Sequence, residues 1–258
     1  MAVNTAQGKE AGRAPLPLTS RQDMWWIKPL VTVAVLGTFV LYSTYRAFEG
    51  DYFEAGPYLT PFYSPLLLFG WSIFGIKISP ALYILIFPLS FRLTCYYYRL
   101  AYYRAFFWDP PACAVREPYP RKKYTGERYF PFALQNLHRY AFYAAVVFIF
   151  ILSWDAIRGF FFQDGFHVNL GSIILLVNVI LLATYTFSCH SFRHLIGGRL
   201  NCYSCTAMDR TRYGLWKKAS FLNSRHSLYA WASLVGVGVT DIYITLLARG
   251  VIADLRFF

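Results

Sequence analysis

Charge is scarce in this chain. Only 15% of its 258 residues are Asp, Glu, Lys or Arg, against about a quarter in an ordinary soluble domain. Together with 57% hydrophobic residues and a mean hydropathy of +0.36, that shortage excludes a water-exposed globule and puts the chain in a membrane. No secretory leader is expected either: residues 1–23 are polar and rich in Gly, Ala and Pro, with no apolar run ending in a cleavage site. They read as a disordered cytoplasmic tail. Cysteines number five, an odd count that argues against a framework of structural disulfides in a reducing compartment. Of five histidines only His167 falls toward the outer side, so the chain cannot supply the two bis-histidine ligand pairs of a two-haem bundle.

Rings and apolar segments are plentiful. Aromatic residues make up 20% of the chain, with 24 Phe, 21 Tyr and 7 Trp, as suits headgroup anchors and packing against flat ligands. Five spans can be read, at about 25–45, 78–103, 140–162, 168–189 and 227–248, which predicts an all-α polytopic bundle over residues 24–258. The apolar run 61–75 is short and interrupted by Pro65, so it is expected at the outer interface without crossing. With the N-terminus inside, 18 of the 25 Lys/Arg lie on the inner side and five on the outer. That is the positive-inside pattern, so the N-terminus is expected in the cytoplasm and the C-terminus outside. The inner loops carry Arg104, Arg121, Lys122, Lys123 and Arg128, then Arg210, Arg212, Lys217 and Lys218. Such a face meets anionic headgroups or an acidic partner.

Threaded this way, all five cysteines and four histidines collect at one membrane face. The densest cluster is Cys189, His190 and His194, followed by Cys202 and Cys205. His190 and His194 are four apart, so a helix puts both imidazoles on one face, and the glycines at 197 and 198 let the chain turn back with its CxxC pair. Two thiolates with two imidazoles suit a Rieske-type [2Fe-2S] cluster or zinc. Cys95, Cys113 and His138 could supply ligands from across the bundle. His138 and His226 open spans at the inner face and could instead hold one b-type haem or bond a quinone.

Arg92 stands a turn or more inside the second span, which costs a few kcal/mol unless it pairs or snorkels. Beside a tyrosine ladder, such a guanidinium suits a quinone carbonyl. The quinone candidates are Arg92, Tyr96, His226, Ser227 and Trp231. Asp155 and Asp241 are intramembrane acids near the outer side, placed for proton entry or for a hydrogen bond to Ser153 or Tyr243. The spacings Asn136, His138, Asp155 and Asn223, His226, Asp241 echo each other faintly, each histidine about 22 to 26 Å along its helix from its acid.

Several stretches together resemble a known family: PYLTPFYSP at 57–65, FRLTCYYYR at 91–99, QNLHRY at 135–140, CHSFRH at 189–194 and GVIADLR at 250–256. They are similar to the single-chain, five-helix membrane anchor of actinobacterial-type succinate dehydrogenase. The resemblance runs from Trp25 to the end. It implies a bacterial plasma-membrane subunit that docks a flavoprotein carrying covalent FAD and an iron–sulfur subunit, and that passes electrons from succinate to quinone. Some anchors of this type carry a Rieske-like cluster in the membrane and others haem, and the stretch around Cys189, His190 and His194 suits the cluster. A mono-haem b-type cytochrome anchor and a small transporter with a zinc-stabilised inner loop are the competing readings. The transporter would need broken helices and polar groups at the midplane, whereas here polar residues gather at the span ends.

Overall fold

The computed structural model describes residues 24, 26–68, 72–73, 76–77, 79–106, 130–198 and 200–258. Cys113 and the loop cations Arg121, Lys122, Lys123 and Arg128 lie outside them. Among the described residues four helices are long and apolar enough to cross a membrane: α1 (Ile27–Glu49), the Leu137–Arg158 part of α5 (Phe130–Arg158), α6 (Leu170–Phe187) and α9 (His226–Ala248). Their outward faces carry exposed Leu41, Phe150, Ile180 and Val239, side chains that lipid accepts at no cost and water would not.

The all-α bundle expected from the sequence is present, but the expected second span is a broken one. It consists of α2 (Pro80–Ile84), α3 (Ile86–Thr94) and α4 (Tyr96–Phe106). Pro80 starts the first piece, because a proline at the first helical position wastes no hydrogen bond. Pro88 has no N–H for the Ile84 carbonyl. The sharper break is at Cys95, whose backbone is extended (φ −62°, ψ 127°). At the preceding residue the Thr94 hydroxyl donates to the Ser90 carbonyl at 2.7 Å, a back-bond that bends helices.

Within 61–75 the described residues form a 3-10 turn (Pro61–Tyr63) and part of a two-residue hairpin, with no helix. Two further hairpins, Glu54–Ala55 with Tyr58–Leu59 and Phe161–Phe162 with Gly165–Phe166, cap the same end of the bundle. That end, where α9 finishes, is called distal here; the end where α9 begins is proximal. α6 packs against both α5 and α9, and α3 packs on α5. At the proximal end α7 (His190–Gly197) packs on α8 (Ala207–Asn223), which starts from a capping box between Thr206 and Asp209.

Candidate functional site

Both free thiols among the described residues stand at short interruptions between helices, of one residue at Cys95 and of two at Ser188-Cys189. Cys95 separates α3 from α4, and Cys189 (φ −65°, ψ 145°) separates α6 from α7. Each is preceded by a hydroxyl residue, Thr94 and Ser188. The two dipeptides are cross-linked through two histidines. His138 on α5 lies 2.8 Å by Nδ1 from the Thr94 hydroxyl and 3.0 Å by Nε2 from Cys189 Sγ. His226, the first residue of α9, lies 2.7 Å by Nδ1 from the Ser188 hydroxyl and 3.4 Å by Nε2 from Cys95 Sγ. Each hydroxyl thus holds the histidine that meets the other dipeptide's thiol.

The tautomers follow from where the hydroxyl protons go. Thr94 donates to the Ser90 carbonyl and Ser188 to the Tyr185 carbonyl, so both oxygens accept from an Nδ1–H. Both Nε2 lone pairs are then directed at thiols. This is the arrangement that fixes metal-ligating histidines elsewhere: one nitrogen held by the protein, the other free to bind. Rings hold it in place. Phe91 stacks on His138 at 4.9 Å, Tyr185 stacks on His226 at 5.1 Å, and Phe91 meets Tyr185 edge-on at 5.4 Å. Among the described residues no three His, Cys, Asp or Glu side chains are grouped to hold a single metal ion. The donors are two thiols and two imidazoles, a four-ligand set whose chemistry would suit a mixed-ligand [2Fe-2S] cluster.

The other expected ligands are placed elsewhere. His190 and His194 do share one face of α7, with ring centroids 5.1 Å apart. That face is exposed and borders a pocket of about 120 Å³ with Arg193, Gly197, Gly198 and Trp216. Burial, with His194 and Arg193 nearby, pushes the His190 imidazole below its ordinary pKa. Cys202 and Cys205 are joined to each other in a disulfide, against the expectation that disulfides would be missing. The physical reason is the CxxC spacing, which leaves their Cα atoms 5.8 Å apart, within bridging range.

Of the quinone candidates, Arg92 is central. Its guanidinium donates to the Tyr98 hydroxyl at 2.6 Å and the Ser233 hydroxyl at 3.1 Å, and lies over the Tyr185 ring at 4.8 Å. Trp231 donates to the Tyr97 hydroxyl at 2.8 Å. Tyr96 and Ser227 are exposed and turn away. In an unbroken helix Tyr96 would follow Arg92 by one turn on the same face; the break at Cys95 rotates the phase, and Tyr98 takes that place. Ser227 follows His226 directly, about 100° around the helix.

Arg92, Phe91 and Tyr185 form one end of a cavity of about 300 Å³ between α1, α2, α3, α5 and α6. Its other end reaches Ala47, Pro61 and Phe62, and exposed Phe48, Ile86 and Leu89 stand at its rim. Phe91 and Tyr185 therefore belong to both structures, leaving one ring between the cavity and the histidines. Tyr185 was not a candidate from sequence. Its hydroxyl is fully buried and has no hydrogen-bond partner, which costs about 1–3 kcal/mol unless something else supplies one.

The intramembrane acids find other partners than those expected. Asp155 accepts from the Ser64 hydroxyl, and Asp241 Oδ2 accepts from the Tyr42 hydroxyl at 2.5 Å and from Arg46 Nε at 2.9 Å. Ser153 back-bonds to Ile149, and Tyr243 donates to Asp254.

Residues 27–250 match the family model for the actinobacterial succinate dehydrogenase subunit SdhC. Among solved structures, a chain of the "Mycobacterium smegmatis Sdh1 complex in the apo form" is 48% identical, with a TM-score of 0.81, covering 96% of this chain and 97% of that one. No curated protein sequence matches.

Proposed function

Because this chain belongs to the actinobacterial SdhC family, the membrane subunits of succinate dehydrogenase, we propose that it is the quinone-reactive subunit of that complex. Its basic proximal loops would dock the flavoprotein and iron–sulfur subunits, with the N-terminus cytoplasmic and the C-terminus outside. A mixed-ligand [2Fe-2S] cluster would be held by Cys95, Cys189, His138 and His226. When bound, it would supply a one-electron relay with a potential above that of an all-cysteine cluster. The single observation that carries the reading is the crossed arrangement of the Thr94-Cys95 and Ser188-Cys189 dipeptides with two imidazoles whose Nδ1 atoms are already satisfied.

The chain's own groups account for the rest. Thr94 and Ser188 fix the imidazole tautomers, and Asn223 holds the Ser188 carbonyl with a 2.8 Å bond. Arg92 and the Tyr185 hydroxyl would hydrogen-bond a quinone carbonyl, and the apolar cavity would take its ring and tail. The exposed Phe48, Ile86 and Leu89 let a lipid-soluble substrate enter from the bilayer. Electrons would cross one aromatic ring from the imidazole side to the cavity.

The test is His138→Ala together with His226→Ala in the intact complex. Succinate oxidation by a soluble artificial acceptor should survive, while quinone reduction and the mixed-ligand EPR signal disappear. Retained quinone reduction in this variant, or a haem absorption band in the wild-type complex, would refute the assignment.

A further inference from the structure

Where α7 packs on α8 at the proximal end, the two helices enclose the pocket of about 120 Å³ lined by His190, Arg193, His194, Gly197, Gly198 and Trp216. Gly197 makes the enclosure possible: a Cβ there would stand 2.2 Å from the Trp216 ring, so a larger residue would push the indole away. The four side chains lining the pocket are hydrogen-bond donors with capacity unused. Arg193 makes one long bond, 3.4 Å to Asn223 Oδ1, and lies over the Trp216 ring at 5.1 Å. Among the described residues no protein group bonds to either imidazole or to the Trp216 Nε1–H. A guanidinium and an indole can only donate, and even a neutral imidazole carries one N–H. Acceptors that could answer them are engaged elsewhere. Arg212 takes the carbonyls of Ile196 and Gly198 at 3.1 and 2.8 Å. Between residues 189 and 225 there are seven Lys/Arg and one acid, Asp209, which is held in the capping box with Thr206.

Two imidazoles one turn apart can take a transition metal. A cation here would sit beside the Arg193 guanidinium with no carboxylate lining the pocket to balance it, and the thiols of Cys202 and Cys205 are bonded to each other. Donors converging in a positive field select an anion instead, and a guanidinium matches the oxygens of a phosphate group. Position narrows the choice further. α6 ends at Phe187 and α7 begins at His190, so the pocket lies where the spans reach the proximal surface, at the level of lipid headgroups. Leu195 and Leu215, next in sequence to His194 and Trp216, are exposed and offer apolar surface to an acyl chain.

We propose that the α7–α8 pocket binds the phosphate of an acidic phospholipid of the proximal leaflet, with Arg193 making the charged contact and His190, His194 and Trp216 each donating a hydrogen bond. The site is independent of the quinone reading above, since no electron or proton passes through it. Its occupant pins α7, the helix that follows Cys189, to the membrane surface.

The experiment takes the intact complex, stripped of lipid in detergent, and titrates it with phosphatidylglycerol or phosphatidylcholine, counting bound lipid by native mass spectrometry. The wild type should hold one phosphatidylglycerol about tenfold or more tighter than phosphatidylcholine, and excess inorganic phosphate should not displace it. Arg193→Gln should weaken that lipid by about tenfold or more, and Trp216→Phe, or His190→Ala with His194→Ala, by about threefold or more. The soluble-acceptor rate should stay unchanged in all of them. Trp216→Phe keeps the ring and the histidines are exposed, so these variants decide the matter even where Arg193→Gln fails to assemble. Equal affinity for phosphatidylglycerol in the wild type and these variants overturns the site, and a pocket sealed beneath the docked subunits would give that result. Displacement by inorganic phosphate overturns the lipid assignment, as does a zinc ion held by His190 and His194 in place of the lipid.

Discussion

The two ends of the bundle are both polar, and they are polar in opposite ways. At the distal end the groups are charged and satisfy each other. Arg46 is spent on Asp241, Glu49 and the carbonyls of Asp51 and Tyr52. Asp254 accepts from Tyr58, Tyr243 and the Gly171 N–H. At the proximal end the groups are thiols and imidazoles whose protein bonds are arranged to leave nitrogens and sulfurs facing one another, beside a tyrosine hydroxyl with no partner. A closed network holds helices and strands in register. An open one is a binding site that the fold keeps at a cost.

Substitutions at the two ends should therefore fail differently. The largest effect on stability is expected from Arg46→Ala, which leaves Asp241 buried without its countercharge. Breaking such a pair costs about 3–5 kcal/mol, so the solubilised complex should show a clearly lower melting temperature. Arg92→Leu should do the reverse, lowering quinone reduction at least tenfold in the steady state while the soluble-acceptor rate and the melting temperature hardly change. Tyr185→Phe sharpens the contrast. Removing an orphaned hydroxyl should leave stability unchanged or raise it by about 1 kcal/mol, yet raise the KM for quinone.

A smaller effect concerns pH at the distal tail. Burial pushes the Asp254 carboxyl up, but the Tyr58 and Tyr243 hydroxyls and the Gly171 N–H outweigh it and hold it below the usual carboxylate range. A depressed pKa contributes stability above the unfolded value, near 4, that is lost as pH falls through the folded value. Residues 251–258, whose backbone bonds to Val168 and Leu170, should hold at neutral pH and become accessible to protease only in acid, and Asp254→Asn should remove that dependence. The smallest effect is expected for His190→Ala with His194→Ala, which should keep quinone reduction within about twofold of the wild type.

Much of this was legible in the sequence, because span length, hydropathy and the gathering of Cys and His at one face depend on composition and order alone. Arg92, Cys95, His138 and Cys189 were all within view. What could not be read was a single ψ angle. The extended backbone at Cys95 turned Tyr96 outward, brought Tyr98 to Arg92 and aimed the thiol at His226. Spacing left two places open. His190 and His194 are well spaced for a common ion, yet they lie on an exposed face of α7. The CxxC at Cys202 and Cys205 suits a metal and equally suits a bond between its own sulfurs. A hydroxyl residue directly before a cysteine occurs at Thr94-Cys95 and Ser188-Cys189 but also at Ser204-Cys205, so that pattern alone could not single out the two.

The assignment of Cys95, Cys189, His138 and His226 as one ligand set is tested most directly by pulsed EPR of the reduced complex grown with ¹⁵N-histidine. The account predicts a mixed-ligand [2Fe-2S] signal coupled to two histidine nitrogens, unchanged by His190→Ala with His194→Ala and abolished by His138→Ala with His226→Ala. A nitrogen-coupled signal that survives loss of His138 and His226, or that vanishes with His190 and His194, would contradict it.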